Sequence, residues 1–346
     1  MLERIIDANL NRLAEGLRVI EDSCRFGLDD AKLAGRLKRL RHEAGRLRKA
    51  FPAALDARDS EGDVGRVKVA EPRRRDGLLE MLGASFGRVQ ESLRVIEEIA
   101  KTAGGEAAAR AKAMRFEAYE LERLVIPLFD RRSMAARLGG LYLVMTEPDA
   151  GYERLARLAV ARRVSAIQLR DKRLEGRDLL AMARRLRRIT AGSRTLFFVN
   201  DRPDVARLAE ADGVHLGQTD LPPAEARRIV GPRMLIGKST HNLAQMRAAL
   251  AESPDYVAVG PIHPTDSKAV PDPVLGLKRA GRMLGLARKA GVPAVAIGGI
   301  NPETLPGVLE AGFESYALIT SVGRAADPGR AIAALRRLEP ARPPHP

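Results

Sequence analysis

Residues 8–22, ANLNRLAEGLRVIED, place Leu10, Leu13, Leu17 and Ile20 on one stripe with charged residues opposite. That spacing predicts an amphipathic helix. Residues 84–98, ASFGRVQESLRVIEE, repeat the segment at an offset of 76, with Ala, Arg, Glu and Leu-Arg-Val-Ile-Glu coinciding. A second pair, residues 38–44 (KRLRHEA) and 112–118 (KAMRFEA), recurs at an offset of 74. Two helix types repeated in one order predict a duplicated helical hairpin, and four such helices make a small all-α bundle over residues 1–132. Between the copies, residues 56–67 (DARDSEGDVGRV) have the Asp and Gly content of a loop.

From Gly139 onward the period changes. Short apolar, β-branched runs at 140–146, 166–172, 195–201, 213–217, 235–240, 256–262, 293–300 and 315–322 alternate with helical segments. The helical segments are 153–163, 176–191, 203–211, 222–230, 243–252, 277–290, 302–311 and 327–338. Strands without polar alternation, each followed by a helix, imply a parallel sheet buried on both faces. Eight such units predict an α/β domain of the (β/α)8 TIM-barrel class over residues 138–338. The Arg131–Arg137 stretch reads as a linker open to protease, and the barrel as able to fold alone from about Ala136. Residues 339–346 hold four prolines and read as a disordered tail.

Composition narrows the class. The chain has 346 residues, about two domains' worth, and is 45% hydrophobic and 30% charged, which excludes a mostly disordered or collagen-like polymer. One cysteine, Cys24, excludes an internal disulfide and a cysteine-cluster metal site, fits a cytoplasmic protein, and is read as a small core hydrophobe. No apolar run reaches the ~18 residues of a membrane helix, and the polar start MLERIIDANLNR is no signal peptide. Net charge is +15, spread as +5 over residues 1–137 and +10 over the rest. Such an excess suits nucleic acid or phosphorylated metabolites. Aromatics are only 4% with no Trp, too few for the stacking that single-strand binders use, so the expected partners are small phosphorylated substrates, not nucleic acid or membrane. A homo-oligomer is left open. The Arg73–Arg75 and Arg184–Arg188 runs read as a loop and a solvated helix face.

Barrels of this class keep their chemistry at the carboxyl ends of the strands. The second strand ends in Gln168, Arg170 and Lys172, which alternation turns to one side. Two cations and an amide there call for an anionic partner. Asn200 and Asp201 end the third strand, and the fourth leads to Asp220. Two carboxylates after neighbouring strands, flanked by Lys and Arg, suit a Mg²⁺ that itself holds a diphosphate; taken singly, each is also a plausible turn or cap residue. Ser239 ends the fifth strand, Thr265, Ser267 and Lys268 follow the sixth, Gly299 the seventh, and Ile319 and Thr320 the eighth. The last two strand ends are where barrels commonly hold phosphate. Gly231 to Ser239 almost spells a phosphate-binding loop, but its first glycine is misplaced and the segment reads as strand. His215, His241 and His263 lack zinc-helix spacing and read as barrel lining.

The segments Gln-Leu-Arg-Asp-Lys, Asn-Asp, Gly-Val-His-Leu-Gly-Gln-Thr-Asp, Gly-Lys-Ser-Thr-His, Gly-Pro-Ile-His-Pro-Thr-Asp-Ser-Lys and Ala-Ile-Gly-Gly-Ile resemble thiamine-phosphate synthase, in order, over about residues 139–338. The first 130 residues resemble the helical extension fused to that enzyme in some bacteria, and the resemblance implies no particular role for them. The resemblance implies a transferase of thiamine biosynthesis that joins hydroxymethylpyrimidine diphosphate to hydroxyethylthiazole phosphate, releasing diphosphate. It implies that Gln168, Arg170, Lys172, Asn200, Ser239 and Lys268 contact the pyrimidine diphosphate, with Arg170, Lys172 and Lys268 stabilising the leaving group. Asp201 and Asp220 would ligate Mg²⁺, and Thr265, Ser267, Gly299, Ile319 and Thr320 would hold the thiazole phosphate. Ser267 and Thr320 stand where the family pattern has Thr and Ser, so a hydroxyl is kept, while Asp266 adds a negative charge beside an anion.

Two rival readings differ in what they require. A thiazole tautomerase on the same barrel has no need of both Asp201 and Asp220 or of the full Gln-x-Arg-x-Lys set, all of which are here. A nucleic-acid-binding or regulatory protein would bind RNA weakly, with strong salt dependence and no turnover.

Overall fold

The computed structural model describes residues 1–58, 75, 77–102, 105–265 and 272–340. The chain divides into two compact units, Met1–Asp130 and Arg131–Pro346. Among the described residues no helix is long and apolar enough to cross a membrane.

The first unit holds α1 (Leu2–Asp22), α2 (Ala31–Lys49), α3 (Leu78–Ala100) and most of α4 (Gly105–Ala135). A single π turn, Ser23–Gly27, follows α1, and Asp30 caps α2 by accepting from the Lys32 and Leu33 amides at 2.9 Å. The repeat in the sequence is a repeat in space. Leu10, Leu13, Leu17 and Ile20 are buried, and so are their counterparts at +76, Phe86, Val89, Leu93 and Ile96. The stripes meet because Gly16 lets α1 approach α3: a Cβ there would lie 2.8 Å from Val89 Cγ2 and 3.0 Å from the Ser85 carbonyl oxygen. Buried Asn9 and its counterpart Ser85 satisfy themselves alike, donating to the backbone carbonyl four residues earlier.

The second unit is a closed parallel barrel with strands in sequence order. They are β1 (Gly140–Met145), β2 (Ala166–Leu169), β3 (Leu196–Asn200), β4 (Gly213–Leu216), β5 (Leu235–Thr240), β6 (Tyr256–Val259), β7 (Ala294–Ile297) and β8 (Ser315–Leu318). The helices are α5 (Tyr152–Ala161), α6 (Gly176–Thr190), α7 (Pro203–Leu208), α8 (Pro223–Val230), α9 (Leu243–Ala251), α10 (Gly276–Lys289), α11 (Leu305–Glu310), α12 (Thr320–Gly323) and α13 (Pro328–Leu338). Half the strands, β2, β6, β7 and β8, stop three or four residues short of their apolar runs, since the run continues into the loop that carries polar groups. The last run is cut by α12, so Ile319 and Thr320 lead into a short helix instead of finishing β8.

Two apolar layers flank the strands. Outward residues such as Leu143, Ile167, Phe197, Ile236 and Val257 pack under the helices. Inward residues Tyr142, Phe198, Leu235, Tyr256, Val295 and Ala317 fill the barrel. Two inward positions are glycine because rings occupy the space: a Cβ on Gly213 would lie 2.2 Å from the Phe198 ring, and one on Gly237 2.1 Å from the Tyr256 ring.

The 131–137 stretch is no loose linker. α4 runs through Ala135, and Ala135 and Leu138 join the inward layer. Arg131 Nε donates to Asp255 Oδ1 at 2.7 Å, and Asp255 also takes Arg227 Nη2 at 2.5 Å. Residues 341–346, read as a tail, lie outside the described residues.

Candidate active site

A cavity of about 570 Å³ opens at the carboxyl ends of the strands. Gln168, Arg170, Lys172, Asn200, Asp201, Asp220 and Ser239 all line it. Alternation along β2 puts Gln168 inside; Arg170 and Lys172 lie beyond the strand in its loop, yet reach the same space. Tyr152 fastens that loop. Its hydroxyl donates to Asp171 Oδ2 at 2.7 Å, and Asp171 Oδ1 accepts the Arg173 and Leu174 amides at 2.8 and 3.1 Å. Lys172 is thus held between two anchored neighbours.

Asp201 sits at φ 60°, a conformation rare outside glycine, with its amide donating to the His215 carbonyl at 2.8 Å. The bond ties the end of β3 to β4, and the Asp201 carboxyl lies within hydrogen-bond reach of Asp220 on the β4 loop. There Asp220 Oδ2 accepts the Gly217 amide at 2.6 Å. Burial, a shared hydrogen bond with Asp220 and repulsion from its charge push the Asp201 carboxyl up to about 7, while Lys172 and Arg170 pull it down. Among the described residues no cluster of three or more His, Cys, Asp or Glu side chains could enclose a metal by itself. Two carboxylates competing for one proton are the partial oxygen set that Mg²⁺ takes when phosphate oxygens and water complete its shell.

The cavity floor is a chain of hydrogen bonds that the sequence reading did not anticipate. Gln168 Nε2 donates to the Tyr142 hydroxyl at 2.8 Å, and the Tyr142 and Tyr256 hydroxyls are 2.9 Å apart. Tyr256 Oη meets His215 Nδ1 at 2.8 Å, and His215 Nε2 meets Ser239 Oγ at 2.9 Å. His215 does line the barrel, but as one link in this chain. Burial raises both phenols above the ordinary tyrosine range, so they stay neutral. The signal for Tyr142 and Tyr256 lay in their inward parity on β1 and β6.

A second cavity of about 370 Å³ adjoins the first. Thr265, Gly299, Ile319 and Thr320 line it, and Ser239, His241, Asp272, Ile297, Ala317 and Ile319 line both. His241 stands at the junction, with Nδ1 2.6 Å from the Gly260 carbonyl and Nε2 3.5 Å from Asp272 Oδ2. Gly299 has φ 63°, and a Cβ on it would fall 2.4 Å from the Pro264 carbonyl oxygen. Its small size is therefore required by the β6 loop, whatever a ligand needs. Ser267 and Lys268, with Asp266, lie outside the described residues.

Both units resemble known proteins. The thiamine monophosphate synthase family model matches residues 141–322, and the ThiD2 family model matches residues 4–124. A thiamine-phosphate synthase of Nostoc sp. is 38% identical over 343 residues, covering 97% of this chain and 95% of the relative. One from Thermosynechococcus vestitus is 41% identical over 332 residues, covering 94% and 92%. The solved thiamine phosphate pyrophosphorylase from Pyrococcus furiosus superposes with a TM-score of 0.54 at 33% identity, over 59% of this chain and 96% of that one. Similarity that spans both units in the relatives, on a barrel whose strand ends gather these side chains, has one reading: the chain belongs to the thiamine-phosphate synthase family.

Proposed function

We propose that this protein condenses hydroxymethylpyrimidine diphosphate with hydroxyethylthiazole phosphate to give thiamine phosphate and diphosphate. One observation carries the reading: two adjoining cavities share a wall at the strand ends, one lined by cations, an amide and paired carboxylates, the other by hydroxyls and a glycine turn. That is room for two phosphorylated substrates meeting at Ser239 and Ile319.

Gln168, Asn200 and Ser239 orient the pyrimidine diphosphate, and Arg170 and Lys172 face its phosphates; the family resemblance gives Lys268 the same role. The bond from the methylene carbon to the diphosphate oxygen breaks, and its electron pair leaves on the diphosphate. The three cations stabilise the charge that develops there. The thiazole nitrogen donates its lone pair to the methylene carbon, forming the new C–N bond. Thr265, Ser267, Gly299, Ile319 and Thr320 hold the thiazole phosphate so that this nitrogen faces the carbon. No protein nucleophile takes part. Asp201 and Asp220 would hold Mg²⁺, which supplies further charge neutralisation to the diphosphate. The reading places the enzyme in the cytoplasm and assigns the chemistry to the barrel unit.

The test is an assay with both phosphorylated precursors and Mg²⁺, following diphosphate release. Diphosphate formed only when both precursors and the cation are present is expected; release without the thiazole phosphate at the same rate would refute the condensation.

A further inference from the structure

Lys238 lies in the Gly-Lys-Ser triplet that mimics a phosphate loop, yet its side chain takes no part in the cavity. On β5, Leu235 and Ser239 face inward and Ile236 packs outward, so alternation turns Lys238 to the outer face with Ile236. It is only 6% exposed. Among the described residues its ammonium makes one hydrogen bond, Nζ donating to the Gly217 carbonyl at 2.8 Å. Burying a cation against a single carbonyl is costly, and an aliphatic chain like that of Ile236 would fill the place more cheaply. What the lysine adds is a donor long enough to cross to the next strand.

Its target is one residue from the strand end. Lys238 is in register with Leu216 on β4, and Gly217 comes next. Gly217 is thereby held from both sides, its carbonyl by Lys238 and its amide by Asp220 Oδ2 at 2.6 Å. The same loop is strapped to β5 a second time, Gln218 Nε2 donating to the Ser239 carbonyl at 2.5 Å. The loop that presents Asp220 to Asp201 thus hangs on two bonds to β5, one from a buried cation and one from an exposed amide.

We propose that Lys238 is a positioning residue: by fixing the Gly217 carbonyl it sets the Asp220 carboxylate against Asp201 and so sets the affinity of the pair for a divalent cation. The inference rests on the proposed magnesium site. Supports behind a ligand shell commonly change metal affinity by about ten- to a hundredfold.

The experiment titrates the full-length protein with Mn²⁺ alone, reading bound metal by its paramagnetic signal, in wild type, Lys238→Met, Gln218→Ala and Asp201→Asn. Lys238→Met is expected to bind Mn²⁺ about tenfold more weakly, and Gln218→Ala a few-fold more weakly, while Asp201→Asn loses the site. In turnover, Lys238→Met should need about tenfold more Mg²⁺ for half-activation, with KM for the thiazole phosphate unchanged. Unchanged Mn²⁺ affinity in Lys238→Met, with the site lost in Asp201→Asn, overturns the positioning role and leaves the metal reading standing. Equal binding by wild type and Asp201→Asn overturns both. Should Lys238→Met fail to fold, unchanged affinity in Gln218→Ala overturns the strap.

Discussion

Glu97 and Arg115 form a buried ion pair that is the internal copy of another. Arg115 donates through Nε and Nη2 to Glu97 Oε2 at 3.1 and 2.8 Å, joining α4 to α3. Arg41 donates through Nε to Glu21 Oε2 at 2.6 Å, joining α2 to α1. The pairs are related by the two offsets of the sequence repeat, 76 between the carboxylates and 74 between the guanidiniums. Each hairpin is clasped at the same point.

Removing the guanidinium of such a pair leaves a buried carboxylate with less compensation. Arg115→Met should destabilise the helical unit by about 2 kcal/mol, since Glu97 is nearly inaccessible and keeps only the more exposed Arg94 and Lys101. Arg41→Met should cost less, because its side chain is 30% exposed. Chemical denaturation followed by circular dichroism measures both; equal and negligible losses would show that the clasp is incidental.

The same unit should lose stability in acid. Burial raises the Glu97 carboxyl, but its bond from Arg115 and the charges of Arg115, Arg94 and Lys101 outweigh burial and leave it lowered. The Arg58 hydrogen bond and charge likewise lower Asp7 against its burial. A folded-state pKa below the unfolded one adds stability that is complete above the unfolded value, about 4, and lost as pH falls through the folded value. Denaturant midpoints should be flat from pH 7 to 5 and fall below about pH 4.

Asp201→Ala should lower turnover by about 10²- to 10³-fold, as charge stabilisation of the leaving group weakens. Wild-type activity should vanish in EDTA and return with Mg²⁺. Activity in EDTA equal to that in Mg²⁺ would remove the cation from the account.

The two cavities should separate kinetically. Lys172→Ala should lower kcat and raise KM for the pyrimidine diphosphate, because the negative charge it is proposed to face on the diphosphate grows in the transition state. Thr320→Ala should raise KM for the thiazole phosphate alone. Steady-state kinetics with each substrate varied in turn decides it; parallel changes in both KM values in both variants would defeat the assignment. Gly299 is unsuited to this test, because any side chain there meets the Pro264 carbonyl before it meets a ligand.

Cys24 reports on the helical unit. It is fully buried, and burial together with Asp30 pushes its thiol up to about 12. Only thiolate reacts with common reagents, so native protein should label extremely slowly at pH 7. Labelling should accelerate in step with the unfolding of α1; rapid labelling of folded protein would contradict the packing.

Much of this was legible in the sequence because it is periodic. The repeated stripe, the eight strand–helix units and the side of β2 that carries Gln168 follow from spacing alone. What escaped depends on partners far away in the chain. Nothing near Tyr142 announces Tyr256, 114 residues later, as its hydrogen-bond partner. Arg131 reads as part of a charged linker until Asp255 is beside it. Thr320 reads as a strand residue because the apolar run continues past it, and only the backbone shows the turn into α12.

Gly213 and Gly237 are absences that fit two rings, and this ties the size of four positions together across strands. A methyl group on either glycine has no room unless Phe198 or Tyr256 shrinks, and a smaller ring leaves a void unless the glycine grows. Change at the bottom of the reaction chamber must therefore come in matched pairs. Several loops above it are tied instead by hydrogen bonds, as at Asp171 and Gly217, so what the chamber grips can change while its floor stays at one depth.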